Sequence, residues 1–149
     1  MSIWWSLHLR REAASVPLAR RLFLGTMETA GVDPEVSYDL SVALTEACAN
    51  AVEHGGGPVA GRGSEAYRVT AFLDGETCRI EVTDAGPGFP GVRSAPAPAA
   101  CPDAEDGRGL RLIEELSDHV HFGRSGRGGA VVSFDKILKW RDSPSLLMA

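Results

Sequence analysis

The sequence predicts an α/β domain, and three observations lead there. Short segments of alternating apolar residues lie near the start, middle and end of the chain. Longer segments with helical spacing separate them, and an Asp-Gly pair joins the two middle strands.

In IWWSLHL, residues 3–9, Trp5, Leu7 and Leu9 fall at alternate positions, the period of a half-buried strand. A helix follows, with Ser15 as its expected N-cap and Pro17 tolerated in the first turn. Val16, Leu18, Ala19, Leu22, Phe23 and Met27 keep helical spacing up to a stop at Gly31. Asp33 and Pro34 open a second helix, since the aspartate accepts bonds from free amides and proline loses nothing at the first helical position. That helix runs through LTEACANAVEHGGG, residues 44–57, and stops on glycines.

After the loop GGGPVAGRGS, AYRVTAFL and TCRIEVTD are two alternating strands around Asp74-Gly75, a tight-hairpin signal whose central residues are expected at positive φ. Along the second strand Cys78, Ile80, Val82 and Asp84 share a face, so a carboxylate ends an apolar surface. Residues 85–106 are rich in Gly, Pro and Ala without apolar periodicity and read as a long loop. GRGLRLIEELSD then restores helical spacing at Leu110, Ile113 and Leu116, with an N-terminus built on Gly107 and Gly109. HVHF and AVVSFDKIL add two strands around GRSGRGG, and residues 141–149, RDSPSLLMA, are expected to fray.

A chain of 149 residues is long enough for one continuous core, so a single domain over 1–149 is expected. Its 44% hydrophobic and 23% charged residues exclude wholesale disorder. A net charge of -5 and a pI near 5.3 give no general attraction to nucleic acid or anionic membranes. No window approaches the ~18 apolar residues of a membrane span, and MSIWWSLHLRREAA lacks the pattern of a secretory leader. Cys48, Cys78 and Cys101 are odd in number and lack metal-site spacing, as free thiols of a reducing cytoplasm would. The expectation is a cytoplasmic protein with no direct nucleic-acid or membrane partner.

Three short segments carry chemistry. On a helical wheel Asp39, Glu46, Asn50, Glu53 and His54 fall within about 100°, opposite Leu40, Leu44, Ala47, Cys48 and Ala51. A solvated face is the ordinary meaning of such a stripe. Yet Glu46 and Asn50 stand one turn apart, a carboxylate beside an amide oxygen, which suits a base and a hard cation. DAGPG, residues 84–88, follows a strand; it reads as a plain turn unless Asp84, on the apolar face, meets a donor such as a purine amine. GRGL, residues 107–110, opens a helix, where bare backbone amides bind phosphate.

In this order EACANAVEHG, DAGPG and GRGL resemble the nucleotide-binding boxes of the GHKL ATPase superfamily, which includes gyrase-type ATPases and histidine-kinase catalytic domains. The resemblance covers nearly the whole chain. Small size, a short lid and no appended domain are similar to the anti-sigma-factor serine/threonine kinases. It implies a two-layer α/β sandwich of Bergerat type, with helices on one face of a mixed, mostly antiparallel sheet and ATP between the sheet's end and a lid. Carried onto this chain, it makes Glu46 the general base and Asn50 the Mg²⁺ ligand. It gives Asp84 the adenine amine and lets the backbone turn beneath the base at Gly86 and Gly88. Gly107, Arg108, Gly109 and Leu110 form the phosphate box, with Arg108 offsetting charge where many relatives carry a smaller or apolar residue. Arg93 is the basic residue of the lid. Glu53 and His54 take supporting roles, His54 as a cap at the helix end.

The function so implied is an ATP-dependent anti-sigma factor that phosphorylates a small anti-sigma-factor antagonist, with a sigma factor as second partner and a homodimer as assembly. The N-terminal strand, with Trp4 and Trp5 on opposite faces, is the expected dimer contact. A non-enzymatic ATP-binding module that shapes a partner surface is the alternative. A two-component histidine kinase would need a phosphoacceptor helix and a dimerisation hairpin, for which the sequence leaves no room.

Overall fold

A computed structural model describes residues 2–54, 66–84, 104–124 and 130–140, except for the side chains of residues 54, 104–109 and 124. Within them the chain forms β1 (Ile3–Arg10), α1 (Ser15–Ala30), α2 (Pro34–His54), β2 (Ala66–Leu73), β3 (Thr77–Thr83), α3 (Ala104–Leu116), β4 (His119–Arg124) and β5 (Ala130–Ile137). The strands make one five-stranded sheet in the order β1-β2-β3-β5-β4. Every pairing between them is antiparallel, the limit of the mostly antiparallel sheet expected.

Alternation divides this sheet into a dry face and a wet one. Leu7, Val69, Val82, Val132 and Phe122 form one cross-strand row, and Trp5, Ala71, Ile80, Phe134 and Val120 form the next. These rows are buried or half-buried and face the helices. The row beyond Trp5, made of Trp4, Phe72, Arg79, Asp135 and His119, belongs to the opposite face, where Trp4 is 62% and Phe72 43% exposed. The three helices cover the dry face. α2 packs between α1 and α3 and against β2, β3 and β5, while α1 reaches β1 and α3 reaches β4.

Capping residues set the helix ends. Gly31 sits at φ 88 as the C-cap of α1, a left-handed conformation that glycine adopts without Cβ strain, and its amide bonds the carbonyls of Met27 and Glu28. The Asp33 carboxylate accepts the Glu35 amide at 2.7 Å, so the expected start of α2 holds. Ser15 differs from expectation. It is the first residue of α1 rather than its cap: Ala14 holds that position in helical geometry without a side-chain bond. The Ser15 hydroxyl instead donates to the Glu12 carbonyl at 2.8 Å and meets the Tyr67 hydroxyl at 2.5 Å. A buried tertiary partner outcompetes the local cap. Leu18 and Leu22 also depart from the core, because α1 is covered on one side only; Ala19, Phe23 and Met27 make its buried stripe.

The β2–β3 connection corrects a second expectation. Among the described residues only Gly31 has positive φ, so Asp74-Gly75 does not form a turn of the positive-φ type. The Asp74 carboxylate accepts the amides of Glu76 and Thr77 at 2.7 and 2.8 Å, and its own amide donates to the Thr77 carbonyl at 3.0 Å, so its side chain closes a turn centred on Gly75 and Glu76. Those amide bonds, led by Thr77, hold the Asp74 carboxyl below its ordinary pKa. Glycine is therefore not required at position 75, where an added Cβ would meet nothing within 4 Å. Gly75→Ala should leave the unfolding midpoint unchanged or raise stability by about 0.4–1 kcal/mol, through a less flexible unfolded chain. A loss of more than about 1 kcal/mol in chemical denaturation would contradict this turn geometry.

Candidate functional site

The sheet register places the chemistry-bearing residues at one end. Arg68 pairs with Thr83, and extending that antiparallel pairing by one residue sets Tyr67 opposite Asp84. Asp84 in turn sits beside the start of β5: its amide donates to the Ala130 carbonyl at 2.9 Å, and its Oδ1 accepts the Ala130 amide at 3.3 Å. Asp84 is half-buried and continues the face of Ile80 and Val82, as alternation predicts.

α2 reaches the same end. Its first residues lie at the far end of the sheet, where the Asp33 amide bonds the Lys139 carbonyl and Val32 bridges Trp140. Its Cys48 thiol lies beside Tyr67, the residue opposite Asp84 in the register. Leu40, Leu44, Ala47, Cys48 and Ala51 are buried beneath the helix. That burial fixes its roll and leaves Asp39, Glu46 and Asn50 half-buried along the other side, with Glu53 exposed. Such partial exposure is less than a freely solvated stripe would have. α3 runs the opposite way. It ends beside the start of β4, where the Asp118 amide bonds the Asp135 carbonyl, so its first turn lies at the Asp84 end.

The beginning of α3 also revises an expectation. The helix starts at Ala104, so Gly107 and Gly109 lie inside it rather than ahead of it. Ala104, Glu105 and Asp106 favour an early start, alanine by propensity and the acids by complementing the helix dipole. The described amides without intrahelical partners are then those of residues 104–106. Leu110 is half-buried against the core, and Ile113 is fully buried. Gly86, Gly88, Arg93 and Cys101 lie outside the described residues, as do residues 55–65 with the first glycines after α2. The backbone of Arg108 and His54 is helical, and nothing further is described at either.

A buried polar relay that the sequence did not reveal supports this end. Ser15 Oγ donates to the Glu12 carbonyl and lies at hydrogen-bond distance from the Tyr67 hydroxyl, which in turn lies beside the Cys48 thiol. Burial pushes the Cys48 thiol up to about 12, an effect that the Tyr67 bond lowers only in part. Burial likewise raises Tyr67 to about 12. Cys78 is also pushed to about 12, first by burial and then by Asp135 and Asp74. These thiols are inert packing groups, not nucleophiles.

Among the described residues no group of three or more His, Cys, Asp or Glu side chains could hold a metal ion. A dedicated metal cage is absent from them. The Asn50 amide oxygen beside Glu46 nevertheless fits Mg²⁺, which takes one or two protein oxygens and completes its shell with phosphate and water.

With this geometry in view, the comparisons with known proteins give the class. Residues 9–136 match the model of the histidine kinase-like ATPase domain, and the chain belongs to that family. An ATPase domain implies ATP binding. Among solved structures, the RsbU and RsbW domains of Rv1364c from Mycobacterium tuberculosis overlap 92% of this chain at 22% identity and a TM-score of 0.64. That likeness shows the fold; the chain spans 34% of the length of that structure. The mycobacterial sensor histidine kinase MprB overlaps 70% of this chain and 75% of its own at 19% identity, with a TM-score of 0.42 too low to carry an argument. A search of curated proteins finds no match. No helix among the described residues is long and apolar enough to cross a membrane.

Two outcomes follow from the relay and the buried thiols. Tyr67→Phe removes a hydroxyl with partners on two elements and should cost about 1–3 kcal/mol of unfolding free energy. The raised thiols also set a pH dependence. From pH 9.0, where an exposed thiol titrates, to about 12, the unfolded chain releases protons that the native state keeps. Stability is therefore full below that window and falls as pH rises through it. A thermal midpoint that declines above pH 9, and declines less in Cys48→Ala/Cys78→Ala, is the expected result; a flat profile would contradict it.

Proposed function

We propose that this chain is an ATP-dependent serine/threonine protein kinase that acts as an anti-sigma factor and phosphorylates a small antagonist protein. One observation carries the reading. Glu46 and Asn50 on α2, Asp84 after β3 and the first turn of α3 converge at one end of the sheet, in a chain of the histidine kinase-like ATPase family. The similarity to a protein with RsbU and RsbW domains supports a regulatory setting of this kind.

In this reading Asp84 accepts a hydrogen bond from the adenine amine. A carboxylate has two acceptor oxygens, and Oδ1 accepts the Ala130 amide. Asn50 holds Mg²⁺, whose charge would offset that of the phosphates. Glu46 takes the proton of an incoming serine or threonine hydroxyl; that oxygen bonds the γ-phosphorus as the bond to ADP breaks, and ADP leaves. Gly86 and Gly88 serve the turn beneath the base, and Gly107, Arg108, Gly109 and Leu110 form the phosphate box. A phosphate on the antagonist adds charge at the interface and releases it, leaving the kinase free to bind its sigma factor in the cytoplasm.

A homodimer is part of the proposal. Trp4 and Phe72 are cross-strand neighbours on the uncovered face of the sheet, both exposed, and support self-association through β1 and β2.

Incubating the protein with Mg-ATP and a candidate antagonist tests the reading. Glu46→Ala should lower phosphate transfer by about 100-fold or more while nucleotide binding is kept. Asn50→Ala should lose the Mg²⁺-dependent part of binding. Full transfer by Glu46→Ala contradicts the base, and nucleotide binding without transfer to any partner points to the non-enzymatic module.

A further inference from the structure

The geometry points to Arg11 as a positioning residue for Asn50: its guanidinium clamps the last turn of α2 and keeps the metal-binding amide in place. This inference rests on the reading of Asn50 given above and extends it to a residue on another element.

Arg11 follows β1 and precedes α1, far from α2 in sequence. Its Nη1 donates to the Val52 carbonyl at 2.7 Å. The last carbonyls of a helix have no intrahelical donor, and Val52 belongs to that group because α2 ends at His54. The bond is short, carries a full positive charge and meets the negative end of the helix dipole. Asn50 lies in the same turn, two residues before the clamped carbonyl.

The sequence beyond α2 offers this turn little help. Gly55, Gly56 and Gly57 follow it, and glycine favours the unfolded chain on entropic grounds. Glu53 brings a negative charge to the negative end of the dipole. A turn that opens for part of the time presents its ligand for only the remaining part, and apparent affinity falls by that fraction.

The anchor of Arg11 is itself firm. The Glu12 amide bonds the Arg10 carbonyl at 2.8 Å, and the Ser15 amide and hydroxyl both bond the Glu12 carbonyl at 3.0 and 2.8 Å. Ser15 then joins Tyr67, whose hydroxyl lies beside Cys48 of α2. The segment from Arg10 to Ser15 thus holds α2 at Val52 through Arg11, just beyond Asn50.

The test uses the full chain and a fluorescent ATP analogue, read by anisotropy with and without Mg²⁺, with thermal unfolding to confirm the fold. Arg11→Ala should need about five- to tenfold more Mg²⁺ for half-maximal binding, the loss expected for a charge-assisted bond, with metal-free affinity changed by less than about twofold. Arg11→Lys, which keeps a charged donor, should recover most of that deficit. Amide hydrogen exchange in the last turn of α2 should accelerate in Arg11→Ala and not in Arg11→Lys. An equal loss with and without Mg²⁺ would reduce Arg11 to a general structural role and overturn the inference. If Asn50→Ala loses its Mg²⁺ dependence while Arg11→Ala keeps that of the wild type, the inference fails alone. If Asn50→Ala retains the wild-type Mg²⁺ dependence, the metal assignment fails and takes the inference with it.

Discussion

Burial of α2 between two helices and the three central strands fixes the roll of that helix about its axis, and the candidate site depends on that roll. Leu40, Leu44, Ala47, Cys48 and Ala51 all lie within 2% of complete burial. A rotation of one residue, 100°, would carry Leu40 and Leu44 toward solvent, at about 1.5–3 kcal/mol for each side chain exposed. The same rotation would drive Glu46 and Asn50 into an apolar layer, where an unpaired carboxylate cannot stay charged. Packing alone therefore selects the side on which Glu46 and Asn50 are presented.

The sheet supplies the second constraint. An all-antiparallel register puts the end of β3 beside the starts of β2 and β5, so Asp84, Tyr67 and Ala130 become neighbours although distant in sequence. Tyr67 is the joint between the layers. Its ring belongs to the dry face, and its hydroxyl links α1 through Ser15 with α2 through Cys48. The described residues contain no buried side-chain nitrogen or oxygen without a hydrogen-bond partner, so this polar junction carries no desolvation penalty of that kind. Stability and site geometry are coupled there.

Much of this arrangement was legible in local sequence. Asp33-Pro34 and Gly31 marked helix ends because caps use short-range chemistry, and alternation placed Asp84 correctly because strand faces follow from spacing alone. Glu46 and Asn50 were visible as a one-turn pair. What escaped was tertiary. Ser15 looked like a cap until Tyr67 claimed its hydroxyl, and no local pattern distinguishes Leu22, at the edge of α1, from Phe23 in the core. Nothing in the local sequence marks Arg11, since only the return of α2 to the end of β1 brings Val52 within its reach. Asp74-Gly75 showed the converse: the turn was found, but the side chain of Asp74, not positive φ at Gly75, closes it. α3 begins ahead of Gly107 because the helix-favouring Ala104, Glu105 and Asp106 outweigh the glycines that follow them.

The central claim is that α2, the end of β3 and the first turn of α3 form one nucleotide site. Backbone amide resonances followed through a titration with Mg-ATP test it most directly. The account predicts that Glu46, Asn50, Asp84 and the residues around Ala104 shift together along one saturable isotherm, while His119 and Asp135 at the opposite end of the sheet stay unmoved. Shifts confined to the His119–Asp135 end, or separate isotherms for α2 and β3, would contradict it.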